Sequence, residues 1–120
     1  MQLSEFYEGI GGSYEDVLLR LQSDRLIVRF LSKFPADGSF AELCVCFDAG
    51  MLYEAFCKAH TLKGICMNLG FGDMSATICE ITELLRPADK TVDCVRVRTL
   101  MEVLKEQYAK VLDGIRQIGS

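Results

Sequence analysis

The amino-acid sequence predicts an all-α fold: an antiparallel four-helix bundle with short additional N-terminal helices. Three observations carry that expectation. Apolar residues recur at helical spacing in seven successive segments. No stretch alternates apolar and polar residues for long enough to line a strand. The connections are short, so neighbouring long helices are expected to pack antiparallel.

The segments follow in order. Leu3, Phe6, Tyr7 and Ile10 fall at i, i+3, i+4 and i+7 before Gly11-Gly12 breaks the run. Ser13 with Asp16 resembles a capping box and opens a helix through Tyr14, Val17, Leu18 and Leu21. Ser23 is expected to cap the next, with Leu26, Ile27, Phe30, Leu31 and Phe34 as its buried stripe. Residues 35–38, Pro-Ala-Asp-Gly, form a turn by composition. Ser39 and Glu42 then read as a capping box ahead of Phe40, Leu43, Cys44 and Phe47.

Beyond Gly50, a helix from about Met51 to Leu69 buries Leu52, Ala55, Ala59, Leu62, Cys66 and Leu69. Gly70 suits its C-terminal end, because glycine adopts the left-handed conformation without steric cost. Asp73 is expected to cap a helix carrying Met74, Ile78, Ile81 and Leu85, which Pro87 ends. Thr91 is expected to start the longest helix. Its stripe is Val97, Leu100, Met101, Leu104, Tyr108, Val111, Leu112 and Ile115.

At 120 residues the chain is expected to form one domain, residues 1–120, with a real hydrophobic core. A net charge of −4 and the lack of any Lys/Arg block argue against nucleic acid as a partner. No apolar run reaches the length of a bilayer span, and the N-terminus lacks the pattern of a signal peptide. A cytoplasmic protein without membrane contact is therefore expected. Cys44, Cys46, Cys57, Cys66, Cys79 and Cys94 contain no C-x-x-C pair and are expected to be reduced, small buried hydrophobes. Gly9, Gly11 and Gly12 lack the Lys-Ser/Thr of a phosphate-binding loop, so no ATP binding is expected.

His60 is the one histidine of the chain. Ala59 and Leu62 belong to the buried stripe, which turns His60 toward solvent. Lys63 and Gly64, three and four residues on, share its helical face. An imidazole titrates near pH 6.5 in water, so its neutral, nucleophilic form is plentiful at about pH 7. An ammonium beside it suits the concentrated negative charge of a phosphoryl group. A mid-helix glycine costs roughly 1 kcal/mol relative to alanine. Two explanations of Gly64 stand: it clears the approach of a bulky partner, or it permits close helix packing. Its position out of register with the buried stripe favours the first. Phe56 and Met67 fall near the His60 face, either as a docking surface or as cover for an interhelical groove.

The string Ala59-His60-Thr61-Leu62-Lys63-Gly64, followed by Asn68-Leu69-Gly70, resembles the signature of histidine-containing phosphotransfer (HPt) domains, approximately A-H-x-L-K-G-x-x-x-N-[aliphatic]-G. The likeness extends to helix order and length. It implies a four-helix bundle that takes a phosphoryl group from the aspartate of a receiver domain and passes it to another. His60 would then be the phosphoacceptor, Lys63 the phosphate-stabilising cation and Gly64 the clearance position. Phe56 and Met67 would contact the partner, and Asn68 and Gly70 would serve the helix end. Ile65-Cys66-Met67 stands where small residues are common in the family. The resemblance implies a monomeric phosphate carrier with no cofactor or metal of its own and no independent kinase or hydrolase activity. The Mg²⁺ of receiver chemistry would belong to the partner. Two other expectations remain: an adaptor that binds receivers without transfer, and a phosphorylatable input domain of a chemotaxis-type kinase.

Overall fold

A computed structural model of the chain describes residues 1–88 and 90–118. Seven α-helices follow one another: α1 (Leu3–Gly9), α2 (Tyr14–Leu21), α3 (Asp24–Lys33), α4 (Ser39–Asp48), α5 (Leu52–Leu69), α6 (Gly72–Leu85) and α7 (Cys94–Ile118). A single 3-10 turn, Phe34–Ala36, joins α3 to α4, and no strand occurs among the described residues. The three most extensive packings are between consecutive helices: α4 lies on α5, α5 on α6 and α6 on α7, while α1 rests against α2 and α7.

Helix starts follow local chemistry in some places and tertiary contacts in others. Ser13 Oγ accepts the Asp16 N–H at 3.3 Å, and Ser23 Oγ accepts the Leu26 N–H at 3.2 Å, as their sequence positions predict. Ser39 departs from expectation. It is the first helical residue of α4, is buried, and donates its N–H to Asp37 Oδ1 at 2.9 Å. The other half of the expected box is engaged elsewhere, since Glu42 pairs with Lys58 at 2.6 Å. Asp73 also fails to cap. Phe71 takes that place, and the Asp73 N–H donates to the Ile10 carbonyl at 3.1 Å. The last helix begins at Cys94 rather than Thr91, because Asp93 Oδ1 accepts the Arg96 N–H at 3.0 Å.

The buried face of α5 consists of Ala55, Ala59, Leu62, Cys66 and Leu69. Small residues in its first half let α4 and α6 approach closely; larger ones fill its second half. Phe34 and Phe71 meet edge-to-face with ring centroids 5.0 Å apart, tying the α3–α4 turn to the start of α6. In α3 only Ile27 and Leu31 are buried. Leu26 and Phe30, expected inside, are 38% and 39% exposed, because α3 meets the remaining helices along one narrow face. The cysteines also depart from expectation: Cys66 alone is fully buried, Cys57 is exposed and the other four are half-buried. Burial pushes the Cys66 thiol up to about 12, so it stays protonated and inert.

An α-helix leaves its last four carbonyls without partners of its own. In α5 each finds one. Gly70, at φ 77°, turns the chain so that its own N–H and that of Phe71 donate to the Cys66 carbonyl. Arg20 of α2 donates to the Met67 carbonyl at 3.0 Å and to the Asn68 carbonyl at 2.8 Å. The Tyr7 hydroxyl of α1 donates to the Leu69 carbonyl at 2.7 Å inside the core, where burial raises its pKa and keeps it a donor. The N-terminal helices thus hold the end of α5.

Tyr7→Phe should strand the buried Leu69 carbonyl and lower unfolding stability by about 1–3 kcal/mol. Tyr14→Phe removes an exposed bond to Asp24 and should cost much less. Urea titrations of the two variants check the difference; equal losses would refute the buried-cap account.

Candidate functional site

The exposed side of α5 is read from helical geometry: residues 56, 60, 63, 64 and 67 share one face of an uninterrupted 18-residue helix. The structure brings all five predicted residues together there. His60 and Gly64 are exposed, Lys63 and Phe56 are half-buried, and Met67 is 52% exposed. The His60 ring has its centroid 6.1 Å from that of Phe56, with the planes tilted by 54°. Neither the imidazole nor the Lys63 ammonium has a hydrogen bond or ion pair among the described residues.

Gly64 has open space around it. A Cβ built at this position would meet no atom within 4 Å beyond its own helix and neighbours. Close helix packing is thereby excluded as its reason. The contrast is Gly70, where a Cβ would stand 2.2 Å from a Val17 methyl. Gly70 serves the fold, as expected from the sequence. Asn68 contributes its carbonyl to Arg20 while its side chain is left at the surface, so its part in the helix end runs through the backbone.

One residue of this surface was invisible to helical spacing within α5. Arg86, at the end of α6, places its guanidinium over the Phe56 ring at 5.1 Å from the centroid. It also pairs with Glu83 at 2.9 Å. The Arg86 guanidinium, with a smaller contribution from Lys63, holds the Glu83 carboxyl below the usual carboxylate range. Phe56 therefore does more than border His60: it also carries a cation over its ring. Only the position of Arg86 immediately before Pro87, where the helix must end, could have drawn notice.

The arrangement combines an exposed nucleophile, an unpaired ammonium on the same face and a gap in the side-chain layer. It can accept a small, highly charged electrophile from a partner that comes close. Among the described residues no three His, Cys, Asp or Glu side chains are grouped to hold a metal ion. Among them, too, no helix is long and apolar enough to cross a membrane. Comparison with family models, curated proteins and solved structures found no match to this chain.

Gly64→Ala should raise unfolding stability by roughly 1 kcal/mol, because the added methyl meets no neighbour and removes the backbone-entropy penalty of a mid-helix glycine. Chemical denaturation measures it. A loss of stability would mean that Gly64 serves packing after all.

Proposed function

We propose that the chain is a cytoplasmic, monomeric phosphorelay intermediate that accepts a phosphoryl group on His60 from a receiver-domain aspartate and passes it to another receiver. The observation that carries this reading is the open space at Gly64, one turn from an unpaired, exposed histidine. A phosphoryl donor with a bulky acidic pocket needs that clearance. The sequential packing of α4, α5, α6 and α7 supports reading these helices as an antiparallel four-helix bundle, with α1 to α3 as the additional N-terminal elements.

The chemical step is a displacement at phosphorus. A neutral imidazole nitrogen attacks, an N–P bond forms, and the P–O bond to the partner's aspartate breaks. The carboxylate leaves with that electron pair, and the other ring nitrogen gives its proton to solvent. Lys63 offers a point charge to the phosphoryl oxygens as negative charge gathers there. Return transfer to a second receiver runs the same step backwards. Divalent-metal chemistry is supplied by the receiver, and Phe56 and Met67 are apolar contacts for its docking face.

Incubation with a panel of receiver domains carrying radiolabelled aspartyl phosphate should yield an acid-labile, base-stable label, which His60→Gln abolishes. Label surviving that substitution would sink the site assignment. A protein that binds receivers yet never acquires label would be an adaptor instead. Lys63→Ala should slow transfer roughly tenfold or more, since a hydrogen bond to a charged group is worth about 1.5–3 kcal/mol. Unchanged kinetics would remove Lys63 from the mechanism. Gly64→Gln should block labelling by receivers with little change in helical circular dichroism, while potassium phosphoramidate, a small donor, still labels His60. Equal loss with both donors would show that clearance is not its role.

A further inference from the structure

We infer that the groove between α3 and α5 seats the protein partner of His60, and that this partner presents carboxylates around an apolar side chain. The inference rests on the phosphotransfer reading and adds to it the footprint and the charge of the partner. The groove has a volume of about 190 Å³ and is lined by Phe30 of α3 and by Ile65 and Leu69 of α5. Lys33 and Asn68 stand at its edge. Asp37 borders it too, but its carboxylate already accepts the Ser39 N–H at 2.9 Å. The space suits one aliphatic or aromatic side chain.

The groove is continuous with the site. Ile65 and Asn68 follow Gly64 around α5 on the side away from Lys63, whereas the Lys63 and Phe56 side leads to Arg86 on α6. A partner that enters over Gly64 therefore leans toward α3. There it meets Phe30, which the narrow contact face of α3 leaves 39% exposed.

Charge identifies what kind of partner this is. Arg25, Arg29 and Lys33 recur every four residues along α3, are exposed, and have no ion pair among the described residues. Four cations on other helices or at their ends do find carboxylates: Lys58 with Glu42, Arg86 with Glu83, Arg96 with Glu80 and Lys105 with Glu102. The one acid of α3, Asp24, lies at its first turn and is bonded by the Tyr14 hydroxyl. A molecule of net charge −4 thus keeps an uncompensated basic stripe beside an apolar groove. Like charges at i, i+4 spacing are mildly destabilising in an isolated helix, and an acidic counter-surface relieves them.

The test compares wild type with Arg29→Glu/Lys33→Glu, Phe30→Ala and, as a distant control on α7, Lys110→Glu. Phosphoryl transfer from the most active receiver of the panel is followed against receiver concentration at low and high salt. Potassium phosphoramidate serves as the docking-independent donor. The double reversal should lower the second-order transfer rate at low salt about tenfold and flatten its salt dependence, as steering charges do. Its phosphoramidate labelling should match wild type. Phe30→Ala should raise the half-saturating receiver concentration several-fold at both salts, and Lys110→Glu should change nothing. Wild-type transfer that neither α3 variant alters would overturn the inference. So would a double reversal that only abolishes co-sedimentation with phosphatidylserine vesicles, since the stripe would then serve a lipid surface. A wild type labelled by no receiver would instead overturn the phosphotransfer reading itself.

Discussion

The exposed face of α5 can act as a site only if α5 is a rigid platform, and its weak point is its C-terminal end. Four carbonyls project there with no partners inside the helix, and fraying would begin at Leu69 and run back toward Gly64. The chain spends two helices on this problem. Tyr7 from α1 and Arg20 from α2 reach across some fifty to sixty residues of sequence to the carbonyls of Leu69, Met67 and Asn68. Arg20 also brings positive charge to the negative end of the helix dipole. The glycines around these contacts let backbone approach backbone: a Cβ on Gly72 would sit 1.9 Å from the Gly11 carbonyl oxygen. So α1 and α2 are better understood as a clasp on the site helix than as an appendage.

With its end held, the two sides of the α5 face differ in what they offer. Toward α6, Phe56 is in contact with both His60 and Arg86, and Arg86 is paired with Glu83. That side is already occupied by side chains in mutual contact. Toward α3, the surface is unfilled: Gly64 has no side chain and Phe30 remains partly exposed. On the proposed reading, a filled edge beside an open one would make the direction of approach a property of the fold rather than of any single residue.

What could be read from the sequence was whatever depends on near neighbours along one helix. Ala59 and Leu62 are fully buried, and that alone turns His60, Lys63 and Gly64 outward in the way their spacing predicts. Ser13 and Ser23 cap as their positions imply, since a cap bond spans three residues. Ser39, Asp73 and Thr91 look equally suitable by the same rule, yet each loses to a tertiary contact or a nearer residue. The Asp73 N–H is taken by the Ile10 carbonyl where the turn after α1 meets the start of α6, a pairing that no local pattern encodes. The same limit hid Arg86 from the site and left Phe30 in an expected core stripe. Apolar spacing says that a helix has a face, but the width of that face is decided by how many neighbours it meets.

Gly64 is where the fold and the proposed function make opposite demands on one position. Glycine is retained inside a helix for a few physical reasons: a kink, a left-handed backbone angle, or contact with another backbone. None applies here. The helix runs unbroken from Leu52 to Leu69, the positive backbone angles lie at Gly11, Gly50, Gly70 and Gln22, and nothing stands where the Cβ would be. Alanine would serve the isolated chain better by roughly 1 kcal/mol. A residue that weakens its own helix and touches nothing inside the molecule fits the clearance proposed for an incoming partner. Within one helical turn of Gly64 lie the exposed imidazole of His60 and the ammonium of Lys63.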